Sequence, residues 1–278
     1  MTYRHLIYET DGPVASVTMN RPEKLNALNL TLQREIVAAM HEAEDDPAVR
    51  VILLRGNGRA FSSGYDVAPS DPSEAQHRRT DNIREDIQRL RGVATRWGEI
   101  WNLSKPVIAV VHGYCVAGGT DLAQHCDLII AAEDAAFGFP AVRAMGSPPT
   151  HMWVYNVGPQ WAKYLLLTGD SIDGKTAERM GLVWRAVPAA ELDREARELA
   201  QKIAKTPWEL LAANKGIVNR ALELMGRGLL QQLAAETDAV AHRAPVVQEF
   251  NRITDERGLK AALEWRDGPF KDYRGKER

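Results

Sequence analysis

The sequence predicts an α/β fold with parallel strands and crossover helices, followed by a region made of helices alone. Three observations carry this. Val49–Leu54, Val107–Val111 and Leu128–Ala132 are short apolar runs rich in β-branched residues, the length and composition of buried strands. Helix-period segments alternate with them. From about Glu191 the strand pattern stops and only helical periodicity continues.

Taken in order, Val14–Met19 alternates apolar and polar residues and reads as a half-buried strand. Asn29 is placed to cap a helix carrying Leu32, Ile36, Ala39, Met40 and Ala43 on one face and ending near Asp45-Asp46-Pro47. Pro69–Glu74 is a polar stretch broken by prolines and reads as a mobile loop. Ile83, Ile87, Leu90, Ala94, Trp97 and Trp101 recur at spacings of four and three, the stripe of an amphipathic helix. Beyond the third strand, Glu191–Ala204, Trp208–Leu224, Leu229–His242 and Val246–Trp265 read as helices, the last interrupted at Gly258. The chain thus divides into an α/β core over residues 1–190 and a helical region over 191–278.

Composition narrows the function classes. With 45% hydrophobic and 26% charged residues the chain is ordinary for a globular protein. A net charge of −2 gives no polyanion-binding signal, so nucleic acid is not expected as a partner. No apolar run approaches the ~20 residues that span a membrane, and the first dozen residues lack a signal-peptide core. Two cysteines, Cys115 and Cys126, make no disulfide framework and read as reduced thiols in a cytoplasmic protein. No Walker-type loop, Rossmann glycine pattern or His-Glu-x-x-His is present, so neither a metal nor a nicotinamide cofactor is expected.

Two stretches carry chemistry. After the strand at Val107 the chain turns through Gly113 and Ala117-Gly118-Gly119 into a helical segment, with Asp121 three residues past Gly118. Small residues at such a turn let the backbone approach a ligand, and the first-turn N–H groups can hold an anion or a polarised carbonyl. After the strand at Val49 the chain runs through Gly56 and Gly58 into Phe61-Ser62-Ser63-Gly64-Tyr65-Asp66, again a strand ending in a small-residue loop. Two such loops can give one donor each to a single oxygen, with Asp121 beside them as a proton carrier. The plainer reading of the loop after Val107 is a glycine turn in which Asp121 complements the helix dipole.

These segments resemble the crotonase (enoyl-CoA hydratase/isomerase) superfamily. Asn20-Arg21-Pro22 with Leu25-Asn26-Ala27-Leu28 is similar to the family's N-terminal signature. Phe61–Asp66 is similar to its first oxyanion loop, His112–Asp121 to its second, and Leu167–Asp170 with Ala177 and Gly181–Val183 to a further landmark. The resemblance runs from about Val14 onward and is weakest over Pro69–Trp101 and Ser147–Asn156. It implies stacked ββα units forming a spiral core, and C-terminal helices that build a homotrimer or a dimer of trimers. It also implies an acyl-CoA thioester substrate, with coenzyme A as part of the substrate and no separate cofactor.

Residue by residue, the resemblance makes the amides of Tyr65 and Gly118 the two donors of an oxyanion hole, and Asp121 the main acid/base group. Tyr65 enters chiefly through its backbone, its ring shaping the acyl site. Typical hydratases of the family use two glutamates; here Asp121 takes the first place and Ala141 the second, which removes one proton carrier. His151 and Arg143 are possible replacements, or else a loop histidine and an ion-pair partner; His112 is read as packing. Lys24, Leu25, Ala27, Ser63, Asp66 and Val67 fall where the family contacts CoA, Ala68 replaces a lysine found in some relatives, and Phe270-Lys271 is similar to an adenine-contacting element. Ala141 itself falls at the substrate. The alternatives are an isomerase or hydrolase on the same fold, or an acyl-CoA-binding protein with little or no turnover.

Overall fold

The structure is a computed structural model describing residues 2–67 and 80–270. Ala68, the Pro69–Glu74 loop and Lys271 lie outside the described residues.

Among the described residues ten strands form two sheets. The larger contains β1 (Leu6–Asp11), β2 (Val14–Met19), β3 (Val51–Gly56), β5 (Val107–Val111), β7 (Leu128–Ala132) and β10 (Arg185–Val187), side by side in that order. The smaller contains β4 (Ala60–Ser62), β6 (Tyr114–Val116), β8 (Ala136–Gly138) and β9 (Ser171–Asp173). Only the β1–β2 and β8–β9 pairs are antiparallel. A long strand in the large sheet is followed each time by a three-residue strand in the small one: β3 then β4, β5 then β6, β7 then β8. The helices that follow are α2 (Ile83–Trp101) after β4, α3 (Gly118–Ala123) after β6 and α4 (Trp153–Thr168) after β8. This is the stacked ββα spiral that the resemblance implies. Its consequence is positional: the loops leaving β4 and β6 emerge side by side.

The core forms where the sequence places it, with two corrections. Asn29 caps α1 (Leu30–Asp45) by accepting from Leu32 N–H, and Leu32, Ile36, Ala39, Met40 and Ala43 are all buried. β5 is buried along its whole length, as a strand covered on both faces must be. Val14–Met19 is also almost wholly buried instead of half-buried. β2 lies between β1 and β3, with α1 and α6 (Leu192–Ala204) both packed against it, so Ser16 points inward as well. The second correction concerns α2, whose buried stripe runs through Asp86, Leu90, Val93, Trp97, Ile100 and Trp101, while Ile83 is exposed. A helix drifts against a four-and-three spacing, and Asp86 is held inward by an ion pair at 2.6 Å to Arg89 and a hydrogen bond at 2.8 Å from His242 Nδ1.

The helices after residue 190 do not all stand apart. Leu192, Ala196 and Ala200 of α6 lie in the main core against the large sheet. α7 (Trp208–Leu224) has no buried residue. α8 (Arg227–Ala241) packs on α2 through Ala235, Ala239 and Leu90. α9 (Pro245–Arg257) and α10 (Leu259–Asp267) meet at Gly258, whose φ of 85° makes the break. α5 (Gly174–Arg179) completes the core. Cys115 and Cys126 are free and buried.

One polar centre ties the N-terminal loop to the first glycine loop. Asn26, fully buried with φ +52°, donates from Nδ2 to Asn57 O at 2.9 Å and Ala60 O at 2.8 Å, and accepts from Arg21 N–H at 2.9 Å. Arg21, also buried, pairs with Asp66 at 2.9 Å and donates to Ala27 O. Asn26→Asp sets a carboxylate against two carbonyl oxygens and is expected to cost at least about 3 kcal/mol. Urea unfolding followed by circular dichroism will measure it.

Candidate active site

The two loops meet backbone to backbone. The first leaves β4 through Ser63-Gly64-Tyr65 and is held by hydrogen bonds from Ser63 N–H to Leu25 O (2.9 Å), Leu28 N–H to Gly64 O (2.8 Å) and Asp66 N–H to Leu28 O (3.2 Å). The second leaves β6 through Ala117 into α3. Gly64 has φ +98°, and a Cβ there would lie 2.9 Å from Ala117 Cβ and 3.0 Å from Gly118 N. A Cβ on Gly118 would meet the Tyr65 ring at 2.7 Å, and one on Gly119 would meet Ser62 O at 2.7 Å. Only glycine permits this approach. Ala117, with φ +50° and ψ −125°, is strained for an alanine and stands at the N-cap of α3. Among the described residues neither the Tyr65 nor the Gly118 N–H has an acceptor.

Asp121 stands on the first turn of α3 with no exposed surface. Its Oδ2 accepts from the Tyr65 hydroxyl at 2.9 Å, and that hydroxyl accepts from Trp97 Nε1 at 3.2 Å. Burial pushes the Asp121 carboxyl up to about 7; the Tyr65 and Thr150 hydroxyls oppose that rise, and Asp238 adds to it. Burial, and next the charge of Asp121, hold the Tyr65 phenol protonated. Thr150 Oγ1 faces the same carboxylate without reaching a well-formed hydrogen bond, and Asp121 Oδ1 is buried without a partner among the described atoms.

Helix α8 grips this assembly from behind. His125 Nδ1 donates to Asp121 O at 2.7 Å, while Gln231 Nε2 faces His125 Nε2 at 2.9 Å; an amide nitrogen only donates, so the ring is one neutral tautomer. Burial lowers its pKa to about 4, consistent with that state. Gln231 Oε1 accepts in turn from Arg227 at 3.1 Å. Seven residues further on, buried Asp238 accepts from Ser147 N–H at 2.7 Å and lies 3.4 Å from His242 Nε2, pinning the 145–150 loop that ends at Thr150.

The remaining sequence assignments fall in distinct places. Lys24 is exposed on the Pro22–Lys24 turn, and Leu25 and Ala27 adjoin the Ser63 loop, so these three share one rim. Val67 ends the described part of that loop, and the Asp66 carboxylate is engaged by Arg21. Arg143 is committed to Asp170 and Asp267, each at 3.1 Å, and to Thr168 O, with the Phe270 ring 4.3 Å from its guanidinium carbon. Both residues therefore serve a clamp on the C-terminal segment. His151 has φ +39° and a buried, unpartnered Nδ1, and burial lowers its pKa. Ala141 lies in a short helical turn, its carbonyl collecting the amides of Ala144, Met145 and Gly146. His112 Nε2–H donates to Gly58 O, 2.9 Å away. Trp97, Thr150, His125 and Asp238 were not legible as site residues, because each comes from a different element. The described residues hold no cluster of three His, Cys, Asp or Glu side chains suited to a metal.

The buried carboxyl has a measurable cost. Between about pH 4, where an unfolded Asp ionises, and about 7, where Asp121 ionises in the fold, the folded chain binds the extra proton. Stability therefore falls as pH rises through that window and levels off above it. Asp238, raised to about 6, acts in the same sense. Asp121→Asn keeps an acceptor for Tyr65 and removes one of the two contributions. Its urea midpoint is expected to exceed that of the native chain at pH 8, with the difference shrinking toward pH 5.

A family model described as enoyl-CoA hydratase/isomerase matches residues 9–274. A probable enoyl-CoA hydratase of Rhizobium meliloti is 38% identical over 249 residues, covering 86% of this chain and 93% of that protein. The hydroxycinnamoyl-CoA hydratase-lyase of Pseudomonas fluorescens is 36% identical, covering 92% and 94%. The crystal structure of an enoyl-CoA hydratase/isomerase from Xanthobacter autotrophicus Py2 superposes with a TM-score of 0.90 at 36% identity, covering 97% of this chain and all of that one. With its sequence matched almost end to end and its fold shared, the chain belongs to the enoyl-CoA hydratase/isomerase family.

Proposed function

We propose that the protein acts on an α,β-unsaturated or allylic acyl-CoA thioester, with the amides of Tyr65 and Gly118 holding the thioester oxygen and Asp121 moving the proton. One observation carries this reading: two N–H groups without acceptors among the described residues, on adjoining loops beside a buried carboxyl raised to about 7. As the enolate forms, negative charge grows on the oxygen between the two donors. One such donor is typically worth about 2.7–4 kcal/mol in the transition state. A carboxyl titrating near neutrality suits both taking a proton from carbon and returning it.

Ala141 favours a second reading within the same family. With no side-chain acid at that position, a single carboxyl must serve every proton transfer. Double-bond isomerisation suits it: Asp121 removes a proton beside the thioester, the electron pair passes into the enolate, and the same group returns the proton at the far allylic carbon. Hydration asks more, since water must be activated and the α-carbon protonated. Either reaction uses coenzyme A only as part of the substrate and requires no other cofactor.

Lys24 makes no ion pair among the described residues and stands on the rim near Ser63, which fits it for a CoA phosphate. Leu210, Ile217, Val218 and Leu224 of α7, Met225 just beyond it and Leu229 of α8 are exposed apolar side chains. They support a homotrimer or a dimer of trimers. Buried, unpaired Cys115 and Cys126 fit a reducing cytoplasmic setting, and no described helix is long and apolar enough to cross a membrane.

The test is a panel of 2-enoyl, 3-enoyl and hydroxycinnamoyl CoA thioesters, the last motivated by the Pseudomonas relative, followed by absorbance and product mass. An isomer of unchanged mass or a product heavier by one water is expected, with kcat/KM rising through about pH 7 as Asp121 ionises. Asp121→Asn is expected to lower kcat by roughly a hundredfold or more while still binding a saturated acyl-CoA. Tight binding without any product supports a binding protein instead. Lys24→Ala is expected to raise KM several-fold with kcat unchanged. Light scattering is expected to return the mass of three or six chains.

A further inference from the structure

Of the two Asp121 oxygens one is held by a completed hydrogen bond and one is not, the Thr150 hydroxyl facing the carboxylate without completing a bond to it. Oδ2 receives the Tyr65 hydroxyl at 2.9 Å, whereas Oδ1 has no partner among the described atoms. The Tyr65 hydroxyl is itself oriented. An indole nitrogen can only donate, so the Trp97 N–H at 3.2 Å occupies a phenol lone pair and leaves the O–H directed at Asp121. Trp97 is fully buried in the main core, and the Tyr65 ring rests on Gly118, where any Cβ would overlap it at 2.7 Å. Tyrosine thus bears on one site twice: its amide, without an acceptor among the described residues, lies on the loop against the Gly118 turn, and its hydroxyl reaches the carboxyl one helical turn beyond.

We infer that the Tyr65 hydroxyl, fixed by Trp97, is the positioning group that locks Asp121 Oδ2 and leaves Oδ1 as the oxygen that exchanges protons with the substrate. This rests on Asp121 being the acid/base group. In the step concerned, the substrate C–H bond breaks, an O–H bond forms on Oδ1, and the electron pair moves into the thioester enolate; the Tyr65 proton stays on its phenol throughout. Held this way, a side chain one methylene shorter than glutamate needs no freedom to search for its geometry.

The same O–H stabilises the charged form of Asp121, so its removal moves the carboxyl's titration upward. The other ionisable groups facing the pair are Asp238 from α8, Arg96 from α2 and the Cys115 thiol of β6. All three stay in place when only the hydroxyl is deleted.

Tyr65→Phe is that deletion, keeping the amide and the ring. The experiment is a carbon-13 NMR titration of the full-length protein labelled at its aspartate carboxyls, with the Asp121 signal identified by its loss in Asp121→Asn. The midpoint is expected to rise by about one pH unit or more in Tyr65→Phe, and by less in Trp97→Phe. Where the thioester panel gives turnover, kcat is expected to fall tenfold or more in Tyr65→Phe, with the pH limb displaced the same way and saturated acyl-CoA affinity within about twofold. An unmoved midpoint in a folded Tyr65→Phe protein overturns the inference, whatever the substrate proves to be. Native turnover in Asp121→Asn overturns the acid/base reading and this inference with it. Loss of turnover in Asp121→Asn, alongside native kcat and pH limb in Tyr65→Phe, overturns this inference alone.

Discussion

The closeness of two backbones is the constraint on which the site depends. Gly64, Gly118 and Gly119 sit where any side chain would strike a neighbouring main chain or ring within 3.0 Å. That approach is produced by the spiral, which ends β4 and β6 as parallel neighbours and releases both chains at the same edge. It is then secured from two sides. Asn26 and the Arg21–Asp66 pair fix the Tyr65 loop, while His125 fixes α3 through the backbone carbonyl of Asp121. Each fixing group is buried and hydrogen-bonded, so the desolvation it suffers is offset locally.

Electrostatics at the site run against stability. A carboxyl with no exposed surface, one oxygen unpartnered among the described residues and a second carboxyl nearby is an arrangement that a fold selected for stability alone would avoid. Two hydroxyls moderate it without cancelling it. The strained Ala117 belongs with the same pattern, since local strain collects where geometry must be held for chemistry.

What was legible in the sequence follows from the range of the forces involved. The Asn29 cap, the break at Gly258 and the glycine turns are set by neighbours in the chain, and each appears where its residues put it. Asp121 and Gly118 share one short helix, so their proximity could also be read directly. Three-residue strands such as β4, β6 and β8 carry too few residues for a periodicity and exist through their pairing. The depth of β2 depended on α1 together with α6, a helix far along the chain. Trp97, Thr150 and Asp238 reach the site from α2, the loop before α4, and α8, and nothing local marks any of them. Tyr65 was legible as a backbone donor, but its hydroxyl contact required knowing where Trp97 and Asp121 lie.

Helix α8 presents Arg227, Gln231 and Asp238 inward and Leu229, Leu233 and Val240 outward, about half a turn away around the same rod. Its inner row grips α3 through His125 and the 145–150 loop through Ser147. Whatever covers the outer row therefore sets the tilt and roll of a lever whose other side bears on both. A contact that rotated the rod by a few degrees would move Gln231 against His125 and Asp238 against Ser147 together, so the outer row and the site share one rigid element.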